Sequence, residues 1–303
     1  MLLILGSINA DLLFKVAKLP RPGETVLCPG YEMAPGGKGS NQAAAAARAG
    51  AKVRFVGHVG SDAYGPVVRG LVADAGVDVS QLETSDRPTA IAVIGVDGAG
   101  ENAIIVASGA NLATHAGQIA DDQLGPGVTV LCQNEIRPDE SWAILRRARA
   151  KGARTILNLA PAGEVPPDVL GSVDLLVVNE IEAEMVAGRK AGDPVELARS
   201  LSREHGLTCV LTLGASGAIA ASAEGVWKAA PLRITPVDTT GAGDCFTGVL
   251  AALLDEGMPL PDALGRSCIA ASLACLAVGA QSSQPHRAEI EAKVAETGPA
   301  QRL

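Results

Sequence analysis

Val128-Thr129-Val130-Leu131-Cys132, followed by the helical pattern Asp139 to Ala150 and a second apolar run, Thr155-Ile156-Leu157-Asn158-Leu159, sets the rhythm from which the fold is read. The alternation continues with strand Leu175 to Val178, helix Ile181 to Ala187, helix Pro194 to His205 and strand Cys209 to Leu213. Short apolar runs separated by helical patterns predict a parallel sheet covered by helices. In open sheets of this kind a ligand lies beyond the carboxyl ends of the strands.

Toward the N-terminus, Leu2 to Leu5 reads as a first strand ending at Gly6-Ser7-Ile8-Asn9-Ala10-Asp11. A helical run follows Gly36-Gly37-Lys38 and stops at Gly50, then Val53 to Val59 reads as a strand and Tyr64 to Ala75 as its helix. Thr89 to Val96 and Asn102 to Val106 form two short strands around the turn Asp97-Gly98-Ala99-Gly100. With Glu24 to Met33 this hairpin predicts a small antiparallel sheet inserted into the body. One face of such a sheet has no helix over it, so it is expected to cover a ligand, a partner subunit, or both. Toward the C-terminus, Gly243 to Asp255, Pro261 to Val278 and Arg287 to Glu296 read as helices, and no internal repeat is visible.

With 303 residues, 48% of them hydrophobic, the chain can bury a large core, and with 2% aromatic content that core must rest on Ala, Val, Leu and Ile. Few aromatics and a formal charge of -8 argue against nucleic acid as a partner while leaving room for an anionic small molecule. The six cysteines, Cys28, Cys132, Cys209, Cys245, Cys268 and Cys275, show no metal-knuckle pairing, and most sit in apolar surroundings where a reduced thiol is the ordinary outcome. A cytoplasmic protein is expected. Met1 to Gly6 lacks a basic leader and reads as a strand, and no run is long enough to span a membrane. The histidines His58, His115, His205 and His286 have no convergent metal-ligand spacing and read as surface or capping residues.

Asp238-Thr239-Thr240-Gly241-Ala242-Gly243-Asp244, running straight into an apolar helical pattern, carries the chemistry. Unpaired N–H groups in a first helical turn attract a phosphate, and Asp244 at the rim can take a proton from an alcohol. Read alone, the same stretch also describes a turn and a helix start. Gly36-Gly37-Lys38-Gly39-Ser40-Asn41 lacks the spacing of a phosphate-binding P-loop, because Gly39 intervenes after Lys38; it reads as close backbone approach to a polar ligand, with Asn41 as a directional donor and acceptor. Asn9 and Asp11 alternate on an extended segment and suit a polyol, although an Asn-x-Asp is also common in turns. Asn179 and Glu182 have capping-box spacing and could equally orient magnesium-bound water. Leu211 to Gly217 offers hydroxyls and exposed backbone to a nucleotide, and Glu135 follows a strand end.

Together these segments resemble the ribokinase-like carbohydrate kinases, the PfkB family, over nearly the whole chain. Gly36 to Gln42 and Asp238 to Asp244 carry the likeness, and Gly6 to Asp11 with Pro22-Gly23-Glu24-Thr25 narrow it to the ribokinase branch. The resemblance implies a three-layer α/β fold over residues 1–303, with a mostly parallel central sheet covered by helices and a small antiparallel β lid formed by segments about 10–34 and 88–108. It implies ATP-dependent phosphorylation of the 5-hydroxyl of D-ribose, with Asp244 as base and Gly241, Ala242 and Gly243 as the anion hole. Asn9, Asp11, Gly37, Lys38, Asn41 and Glu135 would hold the sugar. Asn179 and Glu182 would organise magnesium and phosphate, with Thr212, Gly214 and Gly217 along the nucleotide. A potassium ion would sit among the Asp238 side chain, the Thr240, Ala274, Ala277 and Gly279 carbonyls and Ser283, and two subunits would pair through the lid. Pro35, Ser282 and Gln284-Pro285-His286 depart from the commonest pattern without removing a catalytic residue. A nucleoside kinase of adenosine type, fructokinase or another sugar kinase of the family, and a non-catalytic sugar-binding or regulatory protein are the other readings.

Overall fold

The computed structural model describes residues 1–190 and 192–303. Its first half runs β1 (Leu2–Leu5), β2 (Asn9–Lys15), β3 (Glu32–Gly36), α1 (Lys38–Arg48), β4 (Val53–Gly60), α2 (Tyr64–Asp74), β5 (Asp78–Ser85), β6 (Ala90–Val96), β7 (Asn102–Ala107) and β8 (Thr129–Cys132). There follow α3 (Pro138–Ala150), β9 (Arg154–Asn158), α4 (Pro167–Leu170), β10 (Leu175–Asn179), α5 (Glu180–Ala187), α6 (Pro194–His205), β11 (Thr208–Thr212), β12 (Ala218–Ser222) and β13 (Gly225–Ala229). The chain closes with α7 (Ala242–Asp255), α8 (Leu260–Ala274), α9 (Arg287–Ala292), α10 (Val294–Thr297) and β14 (Gln301–Arg302).

Ten strands form the main sheet in the order β14-β13-β12-β11-β10-β9-β8-β1-β4-β5. Pairing is parallel from β5 to β11 and antiparallel from β11 to β14. The period of two along a strand sends β1 side chains to both faces: Leu2 and Ile4 join a core with α1, α2, α7 and α8, while Leu3 and Leu5 join one with α3 and α6. Chain direction across the sheet reverses at β1, which lies between β8 and β4, and that switch opens a crevice at its carboxyl end.

Helices α1 and α7 pack with almost no spacer. A Cβ built on Gly248 would lie 2.3 Å from the Gln42 carbonyl and 2.8 Å from the Ala45 Cβ, so the glycine is what lets the two backbones meet.

A second sheet, β3-β2-β6-β7, is built by the segments expected as the lid. Its outer pairs are antiparallel and its central pair, β2 with β6, is parallel. Of the expected strand Glu24 to Met33 only Glu32 and Met33 are in a strand; the rest is irregular, and β2 supplies the missing partner. The lid meets the body at Asp62, whose carboxylate accepts the Thr89 N–H (2.6 Å) and hydroxyl (2.7 Å) and the N–H groups of Tyr64 (3.0 Å) and Gly65 (3.1 Å). At the C-terminal side α8 stops at Ala274, short of the expected Val278, because residues 275–280 turn back on the Asp238 loop. The expected terminal helix is split into α9 and α10 at Lys293.

Candidate active site

The carboxyl ends of the parallel strands converge with polar residues: Ser7 follows β1, Gln133 to Glu135 follow β8, and Asn158, Asn179 and Thr212 end β9, β10 and β11. Helix α1 begins on top of the turn after β1. Gly37 has φ 91°, and a Cβ there would come to 3.0 Å from the Ser7 carbonyl, so only glycine enters the helix at this spot. The Ser7 carbonyl accepts the Ser40 N–H (2.9 Å), and Glu135 accepts the Ser7 hydroxyl (2.6 Å) and the Lys38 N–H (2.9 Å). Glu135 therefore joins the end of β8 to the N-terminus of α1, where a negative charge is favoured. The Lys38 ammonium is held above its ordinary range, chiefly by the charge of Asp244, against burial, with Glu135 and Glu182 adding to the attraction. It stays charged at neutral pH, ready for an anion.

On the lid side, buried Asn9 accepts from Asn111 Nδ2 (2.8 Å), while Asn111 Oδ1 accepts the Ile8 N–H (3.0 Å). Asn111, 102 positions away along the chain, was not marked by the sequence reading. Asp11 packs on Gly36, where a Cβ would fall about 2 Å from its carboxylate, and its buried Oδ1 has no hydrogen-bond partner among the described residues. Burial, then the charges of Glu135 and Asp244, push its pKa up from 3.8 to about 7. A raised folded-state value means Asp11 favours the fold below about pH 4 and increasingly opposes it as pH rises toward 7, by on the order of 4 kcal/mol at full ionisation. Asp11→Asn is therefore expected to unfold at a higher temperature than the parent at pH 8, with the gain vanishing near pH 4. Equal melting temperatures at pH 8 would contradict this account.

Asp244 lies in the first turn of α7 and is 6% exposed. Its Oδ1 accepts from Gln42 Nε2 (2.9 Å) and its Oδ2 from Asn41 Nδ2 (3.1 Å). The helix enters through Gly241 at φ 74°, where a Cβ would stand 2.8 Å from the Ala280 Cα. A Cβ on Gly243 would meet nothing within 4 Å, so no protein contact requires glycine there and the open side suits a ligand. Ala242 N–H is turned to the Thr239 carbonyl (3.2 Å) and Cys245 N–H to the Gly241 carbonyl (2.8 Å). Between them the N–H groups of Gly243 and Asp244 have no acceptor among the described residues, which leaves an anion-receiving helix start.

Asn179 and Glu182 form a reciprocal capping box: Glu182 N–H donates to Asn179 Oδ1 (2.9 Å) and Asn179 N–H to Glu182 Oε2 (2.8 Å). Burial raises the Glu182 pKa, opposed by the Asn179 N–H and by Lys38. The Thr212 hydroxyl donates to the Val178 carbonyl (3.3 Å); Gly214 faces open space, whereas a Cβ on Gly217 would fall 2.0 Å from the Ala229 carbonyl, so Gly217 is required by β13. Asp238 joins two loops, accepting the N–H of Thr240 (2.9 Å) and of Gly279 (2.9 Å), and despite burial these bonds hold its carboxyl below the usual range. The Gly279 carbonyl accepts the Ser283 hydroxyl (2.5 Å), and Ala274 and Ala277 lie on the same return of the chain. Among the described residues no group of three or more His, Cys, Asp or Glu side chains could hold a metal, and no helix is long and apolar enough to cross a membrane. His115 and His286 start short helices as caps; His58, expected at the surface or as a cap, is instead buried on β4, its ring 6.1 Å from that of His115.

The sequence profile of the pfkB family of carbohydrate kinases matches residues 1–287. Ribokinase of Haemophilus influenzae is 35% identical over 296 residues, covering 95% of this chain and 96% of the relative. Ribokinase of Mus musculus is 35% identical over 298 residues, covering 95% and 92%. Among solved structures, ribokinase from Thermotoga maritima superimposes with a TM-score of 0.88 at 30% identity over 97% of this chain and 99% of that one. Arabidopsis thaliana ribokinase, complexed with ribose and ATP, gives 0.87 at 30% identity over 96% and 97%. With the family profile spanning almost its whole length and relatives of this similarity covering 95% of it, the chain belongs to the pfkB family of carbohydrate kinases.

Proposed function

We propose that the protein phosphorylates the 5-hydroxyl of D-ribose with ATP, giving D-ribose 5-phosphate and ADP. The carrying observation is a buried carboxylate, Asp244, within electrostatic reach of Asp11 and Lys38 and on the same helical turn as two unpaired N–H groups. A base beside an anion-receiving helix start is what transfer of a phosphoryl group to an alcohol requires. The sugar O5–phosphorus bond forms as the bond from the γ-phosphorus to the ADP oxygen breaks, and the hydroxyl proton passes to Asp244. Charge on the transferring oxygens meets the free N–H groups of Gly243 and Asp244, while Gly241 and Ala242, whose N–H is engaged by the Thr239 carbonyl, shape the turn. Asn9, Asp11, Gly37, Lys38, Asn41 and Glu135 hold the sugar, and the free acceptor on Asp11 suits a hydroxyl. Thr212, Gly214 and Gly217 lie along the nucleotide, with Gly217 acting through the shape of the turn.

Magnesium fits at Asn179 and Glu182 through water, since Glu182 uses only Oε2 in its cap; bound there it supplies neutralisation of phosphate charge. The Asp238 carboxylate, the Thr240, Ala274, Ala277 and Gly279 carbonyls and the Ser283 hydroxyl are an all-oxygen set suited to potassium, which supplies a fixed positive charge beside the glycine turn. The outer strand β7 exposes Ile104 (54%), Ile105 (73%) and Val106 (52%), which supports pairing of two copies through the lid. Five buried, free thiols fit a cytoplasmic setting.

Rates of ATP-dependent phosphorylation of ribose, 2-deoxyribose, fructose and adenosine, measured side by side with magnesium and potassium, test the reading. Ribose is expected to react fastest. Rapid adenosine turnover with ribose at background would establish a nucleoside kinase, and binding of ribose and ATP without product would establish a non-catalytic protein. A single-chain mass in sedimentation of the same sample would remove the lid dimer.

A further inference from the structure

We infer that Gln42 is a positioning residue, which holds the Asp244 carboxylate through a chain of buried amides whose donor and acceptor sense is set at one main-chain carbonyl. The chain starts at Val177, whose carbonyl can only accept, so Asn158 turns its Nδ2 to it (3.1 Å) and presents Oδ1 on the other side. That oxygen also can only accept, and Gln42 therefore faces it with Nε2 (2.8 Å). The second hydrogen on Gln42 Nε2 reaches Asp244 Oδ1 (2.9 Å), and Gln42 Oε1, now pointing the opposite way, accepts from Gln133 Nε2 (2.7 Å). A flip of the Gln42 amide would set oxygen against oxygen at both Asn158 and Asp244, and nitrogen against nitrogen at Gln133. Gln42 and Gln133 are fully or almost fully buried, so water is not at hand to relieve such a mismatch.

The other carboxylate oxygen is treated in the same way. Asn41 Nδ2 donates to Asp244 Oδ2 (3.1 Å), and its sense is fixed because Asn41 Oδ1 accepts from Gln281 Nε2 (2.9 Å). Each oxygen of Asp244 thus receives one N–H from an amide that cannot turn, and each retains a lone pair for a proton. The carboxylate is clamped in one plane before any substrate arrives. Gln42 is fully buried and both ends of its amide are engaged by protein groups; it acts through Asp244, and the assignment rests on Asp244 being the base.

Gln42→Met keeps the length and volume of the side chain and removes both of its polar ends. In the intact protein it is expected to lower kcat about 10- to 100-fold, the loss that follows when a reacting group is misplaced by a fraction of an ångström to an ångström, with ribose and ATP dissociation constants within about 3-fold of the parent. Introduced into Asp244→Asn, the same substitution is expected to reduce residual turnover no further, because there is no longer a base to position. Gln133→Met, which leaves Gln42 and its bond to Asn158 in place but removes the donor to its Oε1, should give a smaller loss of the same kind and serves if Gln42→Met does not fold. An unchanged kcat, affinities that fall in step with kcat, or an equal fold loss in both backgrounds overturns the positioning role. Near-parental turnover of Asp244→Asn alone would instead overturn the base on which it rests.

Discussion

Asp244→Asn is expected to lower kcat by about 10²–10⁴-fold, the range associated with loss of a positioned general base. The side chain keeps its size, so packing at the start of α7 is retained. The amide nevertheless cannot satisfy both of its neighbours, since Gln42 and Asn41 each present an N–H, to Oδ1 and Oδ2 respectively. One of these donors must face the new NH₂, with an expected stability loss on the order of 1–3 kcal/mol. A protein of this size tolerates that loss, so the variant should be folded and should still bind ribose. Steady-state kinetics beside a thermal melt decide the matter, and turnover within a few-fold of the parent would remove Asp244 as the essential base.

The glycine turn predicts a contrast between two alanine substitutions only two residues apart. In Gly241→Ala, a Cβ at φ 74° and 2.8 Å from the Ala280 Cα forces the turn to move. The left-handed conformation alone costs about 1–2 kcal/mol for a residue with a Cβ, and shifted amides lower kcat by roughly 10²–10³-fold. In Gly243→Ala the new methyl meets no protein atom, and alanine in a helix gains about 0.5–1 kcal/mol over glycine. That variant should melt at or above the parent temperature and still lose turnover, because the methyl occupies space the phosphoryl group needs. Full activity in Gly243→Ala would show that the open side of the turn is not where the chemistry occurs.

What the sequence disclosed follows from local physics. The buried strands β1, β8, β9, β10 and β11 are short apolar runs, and each ends on a polar residue or turn, so both the sheet and the edge that carries the site were legible. The Asn179 and Glu182 cap was legible because its two halves are three residues apart and satisfy each other. Strands β5, β12, β13 and β14 were not marked. Asp78 to Ser85 is polar and half exposed, and Ala218 to Ser222 is built of small residues whose strand state comes from pairing with β11 and β13. The parallel pairing of β2 with β6 depends on where the lid folds back, which no local pattern records. The amides around Asp244 were hidden for a related reason: Gln42 meets Gln133 and Asn158 across 91 and 116 positions, and a single glutamine in a helix gives no sign of its partner. Asn158, a polar residue inside the run Ile156-Leu157-Asn158-Leu159, was the one visible hint.

The alanine-rich face of α1 against Gly248 of α7 has a consequence for how such an enzyme can diversify. A Cβ added at Gly248 would stand 2.3 Å from the Gln42 carbonyl, so there is no slack at this seam, and any larger residue would displace the helix that bears Asp244 relative to the one that bears Asn41 and Gln42. Variation in acceptor preference is thereby steered away from the helical floor and toward the β2, β3 and β6 strands above it, which can be reshaped without disturbing the alignment of Asp244.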